Sequence, residues 1–157
     1  MRSLHLAALC AAFTAASVTS LCAAEPAYIG TWKFTGAVVA PWADPQQRKS
    51  DEKERARLIG KTITIGAKAI AGPPPFPCKG AHYAIKDYTA DLLFQGAFEE
   101  MRSKDKSVDP DKLAAALGFK GASFKTLETG CEFDFHFVDE GTAEVGLNDY
   151  VYTLKKQ

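Results

Sequence analysis

The sequence lacks an excess of charge of either sign. Its 157 residues carry 19 lysines and arginines against 19 aspartates and glutamates, which gives a formal net charge of zero. A general nucleic-acid binder needs surplus basic side chains to displace counterions from phosphates, so we expect no nucleic-acid partner. The same balance provides no electrostatic attraction to an anionic membrane surface.

Known catalytic motifs are also missing. The chain contains no G-x-S-x-G nucleophile turn, no H-E-x-x-H zinc motif and no phosphate-binding glycine loop. Glu99 and Glu100 are adjacent, and adjacent residues do not place two carboxyls on opposite sides of a glycosidic bond. We therefore predict no catalytic residues, no cofactor and a function other than that of an enzyme.

Residues that bind transition metals are few. The chain has four cysteines and three histidines, and no C-x-x-C pair occurs. His82, His136 and Asp134 are the candidates for a metal site or a general base. Strand histidines in isolation are more often surface or hydrogen-bonded residues, so we predict no metal site.

A long apolar run occurs only at the N-terminus. Arg2 precedes the segment Leu4–Leu21, which is small and apolar and ends at Cys22-Ala23-Ala24. This pattern predicts a secretory signal peptide over residues 1–24 and a single domain over residues 25–157, located in the periplasm or secreted. No later segment is apolar enough to span a membrane, so we expect no span after cleavage.

Cleavage would leave two cysteines, Cys78 and Cys131. Thiols oxidise in the compartments that a signal peptide leads to, so the two are predicted to form a disulfide. The bond would close a loop of about 54 residues and stabilise the fold by roughly 4 kcal/mol in the chain-entropy model.

Alternating apolar and polar residues dominate the C-terminal third of the chain. Phe133, Phe135 and Phe137 share one parity, whereas Asp134 and His136 share the other. This alternation is typical of an antiparallel meander with its apolar face inward and its polar face outward. The predicted strands of the meander cover residues 123–128, 132–138, 142–147 and 150–155.

Earlier segments complete the predicted fold. Strands are expected over residues 28–40, 58–71 and 81–88, and helices over residues 92–101 and 109–118. The charged stretch 44–57 is predicted to be a solvated loop or an exposed helix. We therefore predict a mainly β domain, a small antiparallel barrel or curved sheet, with one or two short helices over one opening or one face.

Gly30-Thr31-Trp32 lies in the first predicted strand. It resembles the G-x-W signature of lipocalins and calycin-like secreted bacterial β-barrel proteins. In that family the tryptophan closes the barrel floor, often against a basic residue near the last strand, here Lys155 or Lys156. The resemblance implies a non-catalytic carrier of a small apolar ligand. Its interior would be lined by Trp32, Phe133, Phe135, Phe137 and Tyr152.

A second interpretation rests on the proline-rich loop 72–78. Its prolines favour an extended, preorganised backbone that can bind a partner without a large ordering cost. Pro74, Pro75 and Phe76 would form the contact, with Phe76 as the apolar anchor. The alternative function is therefore an envelope protein-binding module, such as an inhibitor of lysozyme or another hydrolase. Prolines at a sheet edge also prevent edge-to-edge pairing of sheets, so this protective role is the alternative to partner binding for the prolines of the loop.

Overall fold

The computed structural model describes residues 26–44 and 52–157. The predicted signal peptide, residues 1–24, and the first part of the charged stretch lie outside the described residues. None of the helices in the described part combines the length and apolar character needed to cross a membrane.

Nine antiparallel strands form one sheet that curls into a half-barrel. Their order across the sheet is β4-β3-β2-β1-β9-β8-β7-β6-β5, so β4 and β5 are its two edges. The strands are β1 (Gly30–Val39), β2 (Thr62–Ile65), β3 (Ala69–Ala71), β4 (Cys78–Lys79), β5 (Ala84–Tyr88), β6 (Phe124–Glu128), β7 (Phe135–Asp139), β8 (Thr142–Leu147) and β9 (Tyr150–Lys156). The predicted mainly β class is confirmed, in the form of a curved sheet.

The C-terminal meander follows the sequence pattern closely. Leu147 of β8 pairs with Tyr150 of β9 across the two-residue turn Asn148-Asp149. Asn148 adopts φ +53°, a left-handed conformation that asparagine tolerates better than most residues. The turn residues therefore set the register of this hairpin.

The segment 58–71 differs from its prediction. Instead of one long strand it forms the β2–β3 hairpin, in which Thr64 pairs with Ala71. The amide of Gly66 donates to the carbonyl of Ala69 at 2.9 Å and closes the turn. Ile63 and Ile65 are buried as their alternation indicates, whereas Ile59 lies outside the strand and is 41% exposed.

Among residues 26–44 and 52–157, three α-helices accompany the sheet: α1 (Glu52–Ala56), α2 (Leu93–Lys104) and α3 (Pro110–Ala116), with a 3-10 turn at Ala90–Leu92 before α2. In α3 the Asp109 carboxylate accepts hydrogen bonds from the amides of Asp111 and Lys112, so the predicted cap is confirmed. The helix predicted from Leu92 is interrupted, because Phe94–Gly96 at the start of α2 has left-handed dihedral angles.

The sheet buries side chains on both faces. We call the concave side, which holds the larger cluster, the interior face, and the opposite side, covered by α2 and α3, the helix face. In β9, Tyr152 and Leu154 belong to the interior cluster, whereas Val151 packs into the helix-face cluster. The helices therefore cover one face of the sheet, which is one of the two arrangements predicted.

The predicted disulfide is confirmed: Cys78 and Cys131 are bonded, with their Cα atoms 6.4 Å apart. Cys78 begins the edge strand β4, and Cys131 lies in the loop between β6 and β7. Nearby, the amide of His82 donates to the carbonyl of Thr129 at 2.9 Å. The disulfide thus ties the two ends of the curled sheet together.

Candidate ligand-binding sites

The predicted lining residues of the barrel interior are core side chains. Trp32, Phe135 and Tyr152 are at most 1% exposed. Trp32 and Tyr152 line none of the four pockets described here, and Phe135 borders the smallest of them, about 210 Å³ beside Phe76 and the disulfide. The Tyr152 ring packs edge-on against Phe34 with centroids 5.9 Å apart. A narrow curled sheet fills with its own aromatic side chains, so the interior is packed at these three positions. Phe133 and Phe137 are partly buried and border pockets.

Lys156 is the basic residue that meets Trp32. The two residues are paired between β1 and β9, and the Lys156 ammonium lies 5.8 Å from the centre of the indole ring. Lys155 instead donates a hydrogen bond to Thr142. A cation over an indole face is a favourable contact that holds the first and last strands together.

We call the largest opening at the interior face the β5–β7 groove. Its volume is about 550 Å³, the largest of the four pockets described here. Ile85 pairs with Leu127 and therefore shares the interior face, yet it is 45% exposed. The apolar lining of the groove comes from Pro26, Ala27, Tyr28, Ile85, Phe124, Phe137 and Val138.

Charged residues border the groove. Lys125 forms an ion pair with Asp87 at 2.7 Å. Asp139 accepts hydrogen bonds from the Gly141 amide and the Thr142 hydroxyl, and these hold its pKa below the usual value. Lys120 and Glu140 also border the groove, whose accessible lining is mainly apolar.

The proline-rich loop lacks the predicted anchor. Phe76 is 2% exposed, and its ring packs against Phe133 and Phe34 with centroid distances of 4.8 and 5.3 Å. The loop turns its aromatic residue inward because burial of an aromatic ring against the core is strongly favourable. Phe76 therefore does not offer the exposed apolar anchor that the prediction requires, while Pro74 and Pro75 are exposed.

His136 lies beneath the helices and not on a solvated face. It is 2% exposed, and its Nε2 accepts a hydrogen bond from the Phe94 amide at 2.9 Å. The neutral ring therefore carries its proton on Nδ1 and donates it to Thr126 Oγ1, also at 2.9 Å. Burial lowers the pKa of His136 to about 3. Both ring nitrogens therefore form hydrogen bonds within the protein.

The other candidate metal ligands do not join His136 in a site. His82 is exposed, and Asp134 accepts a hydrogen bond from the Thr129 amide at 3.1 Å. Within residues 26–44 and 52–157, no group of three or more His, Cys, Asp or Glu side chains is arranged to hold a metal ion.

Glu144 is a buried titratable residue that the sequence pattern did not single out. It is paired with His136 across β7 and β8, and it is 5% exposed. Thr153 Oγ1 lies 3.5 Å from Oε1, whereas Oε2 has no hydrogen-bond partner among the described residues. Burial raises the pKa of Glu144 to about 7. Its burial, which strand alternation does not reveal, distinguishes Glu144 from a solvated strand residue.

A second pocket lies on the helix side of the sheet, and we call it the Trp42 pocket. It has a volume of about 240 Å³. Phe94, Gln95 and Asn148 all line it, and these are the three non-glycine residues with positive φ in the described part of the chain. Left-handed backbone is costly for a bulky residue such as phenylalanine and concentrates at functional sites.

Several contacts hold this unusual backbone in place. Besides the bond from the Phe94 amide to His136, the Gln95 side-chain amide donates to the carbonyl of Glu132 at 2.8 Å. A Cβ atom at Gly146 would lie 3.2 Å from the Trp42 ring and 3.3 Å from the Phe94 ring. Glycine at position 146 therefore allows the rings of Trp42 and Phe94 to pack closely against β8.

No protein-family model, curated protein or solved structure matches this chain. The inference of function below therefore rests on the geometry of these sites.

Proposed function

We propose that this protein binds a small apolar ligand in the β5–β7 groove and acts by binding, without catalysing a reaction. The observation that carries this proposal is the groove itself, with about 550 Å³ of space beside an isoleucine that is 45% exposed. Ligand pockets typically measure roughly 300–1,000 Å³ and have mainly apolar linings. Covering exposed apolar surface contributes about 25 cal/mol per Å² to binding.

One wall of the groove is firmly held. The Tyr28 ring packs against Tyr83 with centroids 5.3 Å apart, and the Tyr83 hydroxyl donates to the carbonyl of Ala69 on β3. The carbonyl of Tyr28 in turn accepts from the Trp32 indole. A wall fixed before binding reduces the entropy lost when a ligand is captured.

The protein-binding alternative has less support. With Phe76 buried, the loop 72–78 offers a partner the exposed Pro74 and Pro75 but no large apolar side chain. Protein interfaces usually depend on a few buried aromatic or arginine anchors. Binding of an envelope hydrolase through this loop is therefore the second choice.

The proposed place of action is the periplasm or the outside of the cell. Two features support it: the signal-peptide pattern of residues 1–24 and the Cys78–Cys131 disulfide. Disulfides persist in oxidising compartments and are rare in reducing ones.

The groove can be tested with the neutral fluorescent probe N-phenyl-1-naphthylamine and the mature chain, residues 25–157. We expect saturable binding that Ile85→Asp weakens at least tenfold, because a carboxylate would enter the apolar lining. Ile59→Asp is the matched control, since Ile59 is similarly exposed but does not line the groove. Absence of probe binding, or equal loss in both variants, would overturn the proposal.

A further inference from the structure

Aromatic side chains border the Trp42 pocket on both sides. Trp42 and Phe94 pack together with ring centroids 5.3 Å apart, and Phe133 also lines the pocket. The Trp42 indole donates to the carbonyl of Asn148 at 3.0 Å, which fixes the ring relative to the β8–β9 turn. Aromatic faces attract cations through the negative charge density of the π system.

The charged side chains that line this pocket are all negative. Glu132 and Asp134 both border it, and no described lysine or arginine does. Among residues 26–44 and 52–157, neither carboxylate takes part in an ion pair. His136 also lines the pocket and is neutral, so it does not offset this negative charge.

Hydrogen bonds within the protein hold the walls of the Trp42 pocket in place without a ligand. Its left-handed segment is held at Phe94 by His136 and at Gln95 by the carbonyl of Glu132. The Asp134 carboxylate is partly buried and is oriented by the amide of Thr129. Preorganised walls lower the entropic cost of capturing a small molecule.

We propose that the Trp42 pocket is a second binding site, and that it takes a small organic ammonium ion. The aromatic rings would contact the alkyl groups around the nitrogen, and Glu132 and Asp134 would balance its charge. A volume of about 240 Å³ limits the ligand to a few carbon atoms around the charged nitrogen. This site is separate from the β5–β7 groove, since the two pockets share no lining residue.

The first test compares choline with 3,3-dimethyl-1-butanol, its neutral isostere, by NMR titration of the mature chain at matched ionic strength. Ethanolamine is the second ammonium probe. We expect at least one ammonium ion to shift the Trp42 indole and Gly146 signals saturably, and the neutral alcohol to bind at least tenfold more weakly than choline or ethanolamine. Failure of both ammonium ions, or equal binding of the neutral alcohol, would overturn the proposal.

Charge removal provides the second test. We expect Asp134→Asn and Glu132→Gln each to weaken ammonium binding about tenfold, a fold-change of the size expected for a partly desolvated cation site. The asparagine keeps an oxygen that can accept from the Thr129 amide, so the fold is preserved. Asp111→Asn, on the exposed first turn of α3 and outside both proposed sites, is the control and should bind as the wild type does. Unchanged affinity in both pocket variants would contradict the proposed site, whatever the result at the groove.

Discussion

The two faces of the sheet differ in the kinds of side chain that they bury. On the interior face, aromatic and aliphatic side chains fill the space, as with Trp32, Phe34 and Tyr152. On the helix face, the strands bury polar groups, and Thr126, His136 and Glu144 lie opposite one another on β6, β7 and β8. The left-handed segment and the Trp42 pocket also lie on this side.

Because of this difference, we expect substitutions on the two faces to change different properties of the protein. A packed apolar face gains free energy from every buried methylene group and tolerates little change in volume. A buried polar face depends on satisfied hydrogen bonds, and Glu144 Oε2 has no partner among the described residues. We therefore expect changes on the interior face to alter mainly stability, and changes on the helix face to alter local structure, pH response and the second pocket.

The largest expected effect is loss of the disulfide that holds the curled sheet closed. In urea unfolding of the mature chain, the double variant Cys78→Ala/Cys131→Ala should lose about 4 kcal/mol of unfolding free energy, because the cysteines are 53 residues apart. The wild type treated with reductant should show a similar loss. Equal unfolding midpoints for the wild type and the double variant would contradict a stabilising role.

Truncation of an interior aromatic residue comes next. Phe76→Ala should lower the unfolding free energy by about 3 kcal/mol, since it leaves a cavity between Phe34 and Phe133. Leu92→Ala is the control, because Leu92 is 46% exposed and should change stability little. A Phe76 variant as stable as the control would restore this residue as a candidate partner contact.

On the helix face, Gly146→Ala should cost about 2 kcal/mol through overpacking against Trp42 and Phe94. It should also change the near-ultraviolet circular dichroism that these rings contribute. Gly36→Ala is the matched strand control, because the nearest atom to its added Cβ lies at an ordinary 3.8 Å. An unaltered aromatic spectrum for Gly146→Ala would show that Trp42 is not seated against β8.

The last prediction concerns the pH dependence of stability. The pKa of His136 is lowered from 6.5 to about 3, so unfolding takes up a proton between these values and stability rises with pH. The pKa of Glu144 is raised from 4.5 to about 7, so unfolding releases a proton there and stability falls with pH. Between pH 4.5 and 6.5 the two contributions oppose each other.

In the Glu144→Gln variant, the pH dependence of the unfolding free energy should therefore show the contribution of His136 without the opposing contribution of Glu144. Between pH 4.5 and 6.5 its unfolding free energy should rise relative to the wild type by up to about 1.4 kcal/mol per pH unit, the value for one proton. Urea unfolding at several pH values measures this slope, with the exposed Glu140→Gln as control. Parallel pH profiles for the wild type and Glu144→Gln would show that Glu144 titrates normally.

Much of the fold was predictable from local patterns. The alternation of Phe135 and Phe137 with His136, the Asn148-Asp149 turn and the Asp109 cap all lie in the elements expected of them. These signals are local, because strand periodicity, turn residues and caps depend on neighbours within a few positions. The hairpin in residues 58–71 was missed because Gly66, whose amide closes the turn, was treated as part of one continuous strand.

The candidate sites were less predictable. Of the five predicted lining residues, Phe137 borders the β5–β7 groove, Phe133 borders two other pockets and Phe135 borders one of those two. Ile85, which lines the groove, was not singled out as a ligand contact. A pocket forms where the side chains of the curled sheet leave space unfilled. Which positions stay unfilled depends on residues that are distant in sequence. The burial of Glu144 could not be predicted either, because a polar strand residue has the same place in the alternation whether its face is covered or meets water.

The sequence by itself determined the strand class, the cysteine pair and the cap of α3, because each depends on composition or on near neighbours. The tertiary structure decided which polar residues are buried, turned Phe76 inward and imposed left-handed dihedral angles on Phe94 and Gln95. Those outcomes follow from contacts between segments that lie far apart along the chain. Burial and backbone strain are set by such long-range contacts and not by any local pattern.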